Sequence, residues 1–168
     1  SDINDLTVVA GSDRSRQESV ALGLTALGKR EPDSIVLVHD AARPLTPPEV
    51  TRRVIGAVRG GARAVIPVLP VTDTLKTVDA SGAVVGTPRR SDMVAVQTPQ
   101  GFRWDVLIRA HEAGASLGAD EAAAATDDAG LVEAIGGSVQ TVAGDELSLK
   151  VTRPLDLAIA RLLANAQA

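Results

Sequence analysis

The chain has no cysteine and no tyrosine, and its 168 residues include one phenylalanine and one tryptophan. Without cysteine there can be no disulfide, no thiolate metal site and no cysteine nucleophile. With only Phe102 and Trp104 aromatic, there is almost no material for a platform on which bases could stack. Any nucleotide must be held by backbone, hydroxyls and charges. Two histidines, His39 and His111, lie far apart and argue against a zinc site. No run approaches 18 apolar residues, so no membrane span is expected. A basic excess is also missing: 17 basic against 21 acidic residues leave a net charge of −4. That excludes broad, sequence-independent binding to nucleic acid but leaves room for a local basic pocket. The opening Ser1-Asp2-Ile3-Asn4-Asp5 is neither a signal peptide nor an initiating Met. The expectation is a cytoplasmic protein whose natural beginning lies upstream.

Apolar residues make up 45% of the chain, enough for the core of one domain. Strand-like and helix-like segments alternate. Leu6–Ala10, Ile35–Val38, Ala64–Val68, Val94–Val96, Val139–Val142 and Leu147–Val151 predict strands. Helical periodicity covers about Gln17–Leu27, Trp104–Ala113, Asp127–Ile135 and the final stretch. A further helix follows Thr46-Pro47-Pro48-Glu49, with Thr46 as its cap and Glu49 closing a capping box. Its apolar stripe is Val50, Val54, Ala57 and Val58. Leu155, Ala158, Ile159, Leu162 and Leu163 predict a core-facing stripe on the last helix. Between Val71 and Arg90 two extended pieces flank a turn at Asp79–Gly82, which predicts a projecting hairpin. Alternation of this kind predicts an α/β fold with a doubly wound, mostly parallel sheet.

In such sheets ligands bind past the carboxyl ends of the strands, and polar residues concentrate there. They include Ser12, Asp13 and Ser19 after the first strand, and His39-Asp40-Ala41-Ala42-Arg43-Pro44 after the second. Thr72 to Lys76, Gln97 to Phe102, Thr126-Asp127-Asp128 and Lys150 follow. Hydroxyls, helix N-termini and guanidinium groups are the parts of a phosphate site. Taken singly, each has a plainer reading. Ser19 and Thr126 serve as helix caps, with Asp40 and Arg43 a local ion pair. Lys76, Arg89 and Arg90 are a solvated face, and Lys150 a strand-end charge. His39 reads as an interior imidazole, His111 as a surface helix residue, and Phe102 and Trp104 as core anchors.

Their order resembles one family, the 2-C-methyl-D-erythritol 4-phosphate cytidylyltransferases of the non-mevalonate isoprenoid pathway. The resemblance rests on Arg16-Gln17-Glu18-Ser19-Val20, Val38-His39-Asp40-Ala41-Ala42-Arg43-Pro44 and Pro70-Val71-Thr72-Asp73-Thr74-Leu75-Lys76. Arg90 ahead of Gln97-Thr98-Pro99-Gln100-Gly101-Phe102, then Thr126-Asp127-Asp128-Ala129 and Lys150–Leu157, complete it. It implies a Rossmann-like nucleotidyltransferase, a transferase joining a polyol phosphate to the α-phosphorus of CTP with release of pyrophosphate. Mg²⁺ would ride mainly on the CTP phosphates, with no metal ligands assigned to the protein. Arg90 and Lys150 take the catalytic positions. Asp40, Arg43, Thr74 and Thr126 contact the polyol phosphate. Ser12, Asp13, Ser19, Asp40, Ala41 and Lys150 surround the nucleotide. The 71–90 hairpin becomes an arm reaching a second subunit, which implies a homodimer.

Two departures qualify the resemblance. Gly11-Ser12-Asp13-Arg14 stands where the family has paired glycines. The family also opens with a strand and a Gly-rich loop bearing Arg and Lys, and no such loop occurs here. The expectation is a single domain over residues 1–168 that lacks this first strand and loop and turns over poorly by itself. Three other readings stay open: a ribitol 5-phosphate cytidylyltransferase, a catalytically silent nucleotide-binding or dimerisation module, and a purely structural α/β domain.

Overall fold

The computed structural model describes residues 6–115 and 126–167. In chain order the elements are α1 (Arg16–Leu27), β1 (Ile35–Val38), α2 (Pro48–Arg59), β2 (Ala64–Pro70), β3 (Thr77–Val78) and β4 (Val84–Gly86). Then come β5 (Val94–Val96), β6 (Gln100–Arg103), α3 (Trp104–Gly114), α4 (Asp128–Ala134), β7 (Gln140–Ala143) and α5 (Pro154–Gln167). Among the described residues the main sheet has five strands, and β3 and β4 form a separate antiparallel pair.

The sheet is mixed, which corrects the expectation of a mostly parallel one. β6 lies between β1 and β2 and runs antiparallel to both, β5 is antiparallel to β2, and only β7 is parallel to β2. β1 and β2 therefore share a direction, joined by α2 as a crossover would be, with β6 inserted between them. The reason lies in the connection after β2. It returns through β3 and β4 with no crossover helix, so the chain re-enters the sheet reversed. Only Gln97, Thr98 and Pro99 separate β5 from β6, and the Thr98–Pro99 bond is cis.

Helices cover both faces. Alternation along β1 sends Ile35 and Leu37 to a cluster with Val54, Val58, Ala62 and Val65 beneath α2. Val36 and Val38 go to the other cluster, with Leu24, Ala64, Phe102, Trp104, Leu107, Ala110, Leu131 and Val132. Val50, Val54 and Val58 keep the predicted helical spacing and are all buried. Each contributes roughly 1.5–3 kcal/mol by leaving water. Gly101 lets α2 approach β6: an added Cβ would overlap Val54 Cγ1 and come within 3.2 Å of Leu37 Cδ2. Phe102 is fully buried and Trp104 is 8% exposed, so both are the expected core anchors.

Several local expectations are corrected. Leu6–Ala10 forms no strand, and Leu6, Val8 and Val9 are exposed, because the segment has no ladder partner among the described residues. Leu147–Val151 is also no strand; Glu146–Ser148 forms a 3₁₀ turn started by Asp145. Pro47 occupies the cap of α2, one place after Thr46, whose hydroxyl instead donates to the Arg43 carbonyl at 3.1 Å. Asp127, not Thr126, caps α4, its carboxylate accepting from Gly130 N at 2.9 Å. On α5, Leu155, Ile159 and Leu162 are exposed rather than core, and Ala160 is the buried residue. The two histidines exchange places: His39 is exposed, whereas His111 is buried. The predicted hairpin is present as β3 and β4. Asp79 Oδ1 accepts from Ser81 N, Ser81 Oγ and Ala83 N, and Gly82 takes a φ of 84° that closes the turn.

Candidate active site

A cleft of about 240 Å³ opens where β1 and β5 end and β6 begins. Arg16, Asp40, Arg43, Thr98, Gln100, Thr126, Asp127 and Lys150 contribute to its wall. The register Val38↔Gln100 brings the residues after β1 beside those before β6. Thr98 Oγ1 accepts from Asp40 N at 3.0 Å and bonds His39 Nδ1 at 2.9 Å, so the turn bearing Asp40 is pinned to this junction.

Asp40 is the hub. Its Oδ1 accepts from Arg16 Nε at 3.2 Å, and its Oδ2 lies 3.2 Å from Lys150 Nζ and 3.8 Å from Arg43 Nε. Burial pushes its carboxyl upward, but the Lys150 hydrogen bond and the Arg16 and Lys150 charges outweigh this and hold it below its ordinary value. Arg43 is bound mostly to backbone: Nη1 donates to Ser148 O at 2.6 Å and Nη2 to Val96 O at 3.3 Å. Burial lowers its pKa, with Asp40 opposing. The guanidinium thus ties the 145–150 loop to β5, and Val151 N adds a bond to Ala42 O at 2.8 Å. Gln97 clamps the same loop, donating to Asp145 O at 2.8 Å and accepting from Asp145 N at 3.0 Å. Lys150 is therefore delivered to Asp40 by an anchored loop while its side chain stays 45% exposed.

On the opposite wall Gln100, fully buried, donates to Asp127 Oδ2 at 2.7 Å and accepts from Ala129 N at 3.2 Å. That fixes the start of α4 and with it Thr126. Arg16 bridges the walls, holding Asp128 Oδ2 through Nη1 at 2.8 Å as well as Asp40. Burial would depress the Arg16 guanidinium, but the Asp128 and Asp40 contacts raise its pKa above the ordinary value. Asp128 is held low against its burial by the His111 hydrogen bond and the Arg16 charge.

The structure thus brings Asp40, Arg43, Thr126 and Lys150 to one cleft, with Ala41 beside Asp40. Ser12 and Ser19 meet one another, Ser12 N donating to Ser19 Oγ at 3.0 Å, and Asp13 is exposed on the same loop. Ser12 and Asp13 precede α1 and Ser19 lies within it, where Ser15 and not Ser19 is the cap, and none of the three lines the cleft. Arg90 and Thr74 are elsewhere. Arg90 Nη1 donates to Thr72 O at 2.8 Å and lines a separate depression with Val68, Pro70 and Met93, while Thr74 is exposed between β2 and β3. Sequence reasoning assigned no role to Arg16, Gln97, Gln100 or Asp128. The two glutamines carry a usable signal: a polar amide bracketing an apolar strand must find partners if buried.

Among the described residues no group of three or more His, Asp or Glu could hold a metal ion, and no helix is long and apolar enough to cross a membrane. The fold of this chain matches that of several solved structures. One is the 2-C-methyl-D-erythritol 4-phosphate cytidylyltransferase from Thermus thermophilus, with TM-score 0.78 and 39% identity over 94% of this chain and 72% of that one. The fold is that of the IspD-like nucleotidyltransferases. Residues 1–165 match the IspD family, 2-C-methyl-D-erythritol 4-phosphate cytidylyltransferase, and the chain belongs to that family. Its relatives include the cytidylyltransferases of that name from Rhodococcus jostii, 51% identical over 96% of this chain and 66% of that protein, and Frankia casuarinae, 53% identical over 95% and 56%. The chain spans about two thirds or less of the length of these curated relatives.

Proposed function

We propose that the protein to which this chain belongs transfers a cytidylyl group from CTP to 2-C-methyl-D-erythritol 4-phosphate, a step of isoprenoid precursor biosynthesis. The observation that carries the reading is the Asp40 hub, where Lys150, Arg16 and Arg43 converge opposite Thr126 in a member of this family. An oxygen of the polyol phosphate attacks the α-phosphorus of CTP. The bond from that phosphorus to the bridging oxygen breaks in line, and pyrophosphate carries the electron pair away. Such a reaction asks the protein for placement and charge compensation, not a covalent nucleophile. Lys150, half in solvent and tethered to Asp40, is suited to meet a phosphate oxygen. Asp40 holds it in place and can turn toward a hydroxyl of the bound reactant. Thr126 offers a hydroxyl from the facing wall.

Mg²⁺ fits this scheme as a passenger of the CTP phosphates, where it would neutralise the triphosphate. The Asp40 oxygens already face cations and Asp128 is shared between His111 and Arg16, so neither is a natural metal ligand. Arg90 and Thr74 would enter the reaction from a second copy through the β3–β4 arm, in a homodimer. Exposed Val78, Val84, Val85 and Met93 on and beside the arm favour such packing. The location is the cytoplasm, as expected for an enzyme of soluble metabolites.

The test uses the full-length natural protein with CTP and either methylerythritol phosphate or ribitol 5-phosphate, following pyrophosphate and the mass of the product. Turnover with the first polyol supports the proposal, and turnover with ribitol 5-phosphate alone replaces it. CTP binding without turnover of either would make the protein a silent binding module.

A further inference from the structure

A run of polar contacts, part-buried at the cleft and buried at its far end, leads to a residue that the transfer does not touch. His111 Nε2 bonds Asp128 Oδ1 at 2.9 Å, Asp128 Oδ2 accepts from Arg16 Nη1 at 2.8 Å, and Arg16 Nε donates to Asp40 Oδ1 at 3.2 Å. We infer that His111, buried on α3 outside the cleft, is a positioning residue for the proposed reaction: it fixes Asp128, which fixes Arg16, which orients Asp40. The inference rests on the function proposed above.

The argument starts from what position 111 asks of a side chain. Leu107, Ala110 and Gly114 are its buried neighbours on α3. On packing grounds alone an apolar residue belongs there. An imidazole instead leaves Nδ1 buried with no hydrogen-bond partner among the described residues, which is unfavourable. What the imidazole provides is its other nitrogen. A carboxylate accepts and cannot donate, so Nε2 carries the proton toward Asp128.

Asp128 is 1% exposed, and its two oxygens are divided between two partners, one for His111 and one for Arg16. Remove the His111 donor and Oδ1 is left bare in the interior. The favourable response is for the carboxylate to take the Arg16 guanidinium with both oxygens, since paired N–H donors match a carboxylate. The Arg16 Nε contact to Asp40 is then drawn away, and Asp40 is left to Lys150 and Arg43 alone. His111 thereby acts on the cleft through three successive contacts while touching no reactant.

The experiment compares His111→Leu, His111→Gln and His111→Asn in the full-length protein, alone and with Arg16→Met. A misplaced site group lowers kcat steeply, so His111→Leu should lower kcat at saturating substrates about tenfold or more. Glutamine carries an N–H close to the Nε2 position and should restore kcat to within about threefold. Asparagine is too short to reach and should not, which keeps the comparison available if the leucine variant fails to fold. In the Arg16→Met background His111→Leu should cost nothing further. Wild-type kcat in His111→Leu, equal impairment of the glutamine and asparagine variants, or fully additive losses would each assign His111 to packing alone and overturn the inference. A structural readout separates this from the function itself. The side-chain N–H resonance of Arg16 Nε should shift and exchange faster in His111→Leu but not in His111→Gln. An unmoved resonance overturns the inference even if the wild type transfers no cytidylyl group, a result that would by itself defeat only the functional proposal.

Discussion

Replacing Asp40 by asparagine keeps the shape of the hub and removes its charge. The cost can be worked from its contacts. The Arg16 bond, between side chains 28% and 14% exposed, is a partly buried charge-assisted hydrogen bond worth about 1.5–3 kcal/mol. The Lys150 bond involves a side chain 45% exposed, so solvent screening leaves it about 0–1 kcal/mol. Arg43 at 3.8 Å adds little, since its hydrogen bonds go to backbone. The expected loss at pH 7 is about 1.5–4 kcal/mol, or about 0.8–2 M in the urea midpoint for a slope of about 2 kcal/mol/M. Trp104, the one tryptophan of this chain and 8% exposed, reports the transition by its fluorescence. The pH dependence has a definite sign. The folded Asp40 carboxyl lies below its ordinary 3.8 because the Lys150 and Arg16 contacts overcome burial. Its contribution is therefore complete above that value and is lost as pH falls through the lower folded one. The gap between wild type and Asp40→Asn should be constant near neutrality and narrow steadily below about pH 4. Equal stability at pH 7, or a gap that persists undiminished into acid, would refute the account of the hub.

Gly101→Ala should destabilise by about 1–3 kcal/mol, because its methyl meets Val54 and Leu37 across the α2–β6 contact, and urea titration reads this directly. Phe102→Ala removes the largest fully buried side chain and should cost about 3–5 kcal/mol in the same assay. Gln97→Ala frees Asp145 from both its side-chain clamps. It should speed amide exchange over residues 144–150 while leaving exchange in α3 unchanged. In the full-length protein Arg90→Ala should abolish polyol-phosphate turnover yet spare CTP binding by calorimetry; unchanged catalytic efficiency would remove Arg90 from its assigned role.

The parts legible in the sequence are those set by local periodicity. Val50, Val54 and Val58 repeat at helical spacing, and Ile35–Val38 is apolar on both alternating faces, so α2 and β1 fall where expected. Strand direction is not encoded in that alternation, which is why β5, expected in a mostly parallel sheet, runs antiparallel to β2, and why Gln100–Arg103, read from the sequence only as a polar segment after a strand, emerges as the strand inserted antiparallel between β1 and β2. The α5 stripe shows the converse: Leu155 and Leu162 have the spacing of a buried face, but spacing cannot say whether a face finds a partner. Burial of a single histidine is likewise a tertiary outcome, so His39 and His111 were assigned the wrong way round. At α4 two capping-type residues stand side by side, and the backbone selects Asp127 over Thr126. Asp40, Arg43, Thr126 and Lys150 stand among many polar residues at expected strand ends and helix starts, and the family resemblance is what singled them out; the cleft brings these four together. Arg16 escaped a role because its partners stand 24 and 112 residues further along the chain.

The shared direction of β1, β2 and β7 leaves the domain with two unlike rims. The segments entering these strands, 28–34, 60–63 and 135–139, gather at the end remote from Asp40. A fluorophore, affinity tag or inserted peptide placed in one of them extends away from the charged hub. The same graft within 40–46 or 144–150 would dismantle it. The molecule thus offers a handle at one end for immobilisation with its charged cleft turned outward.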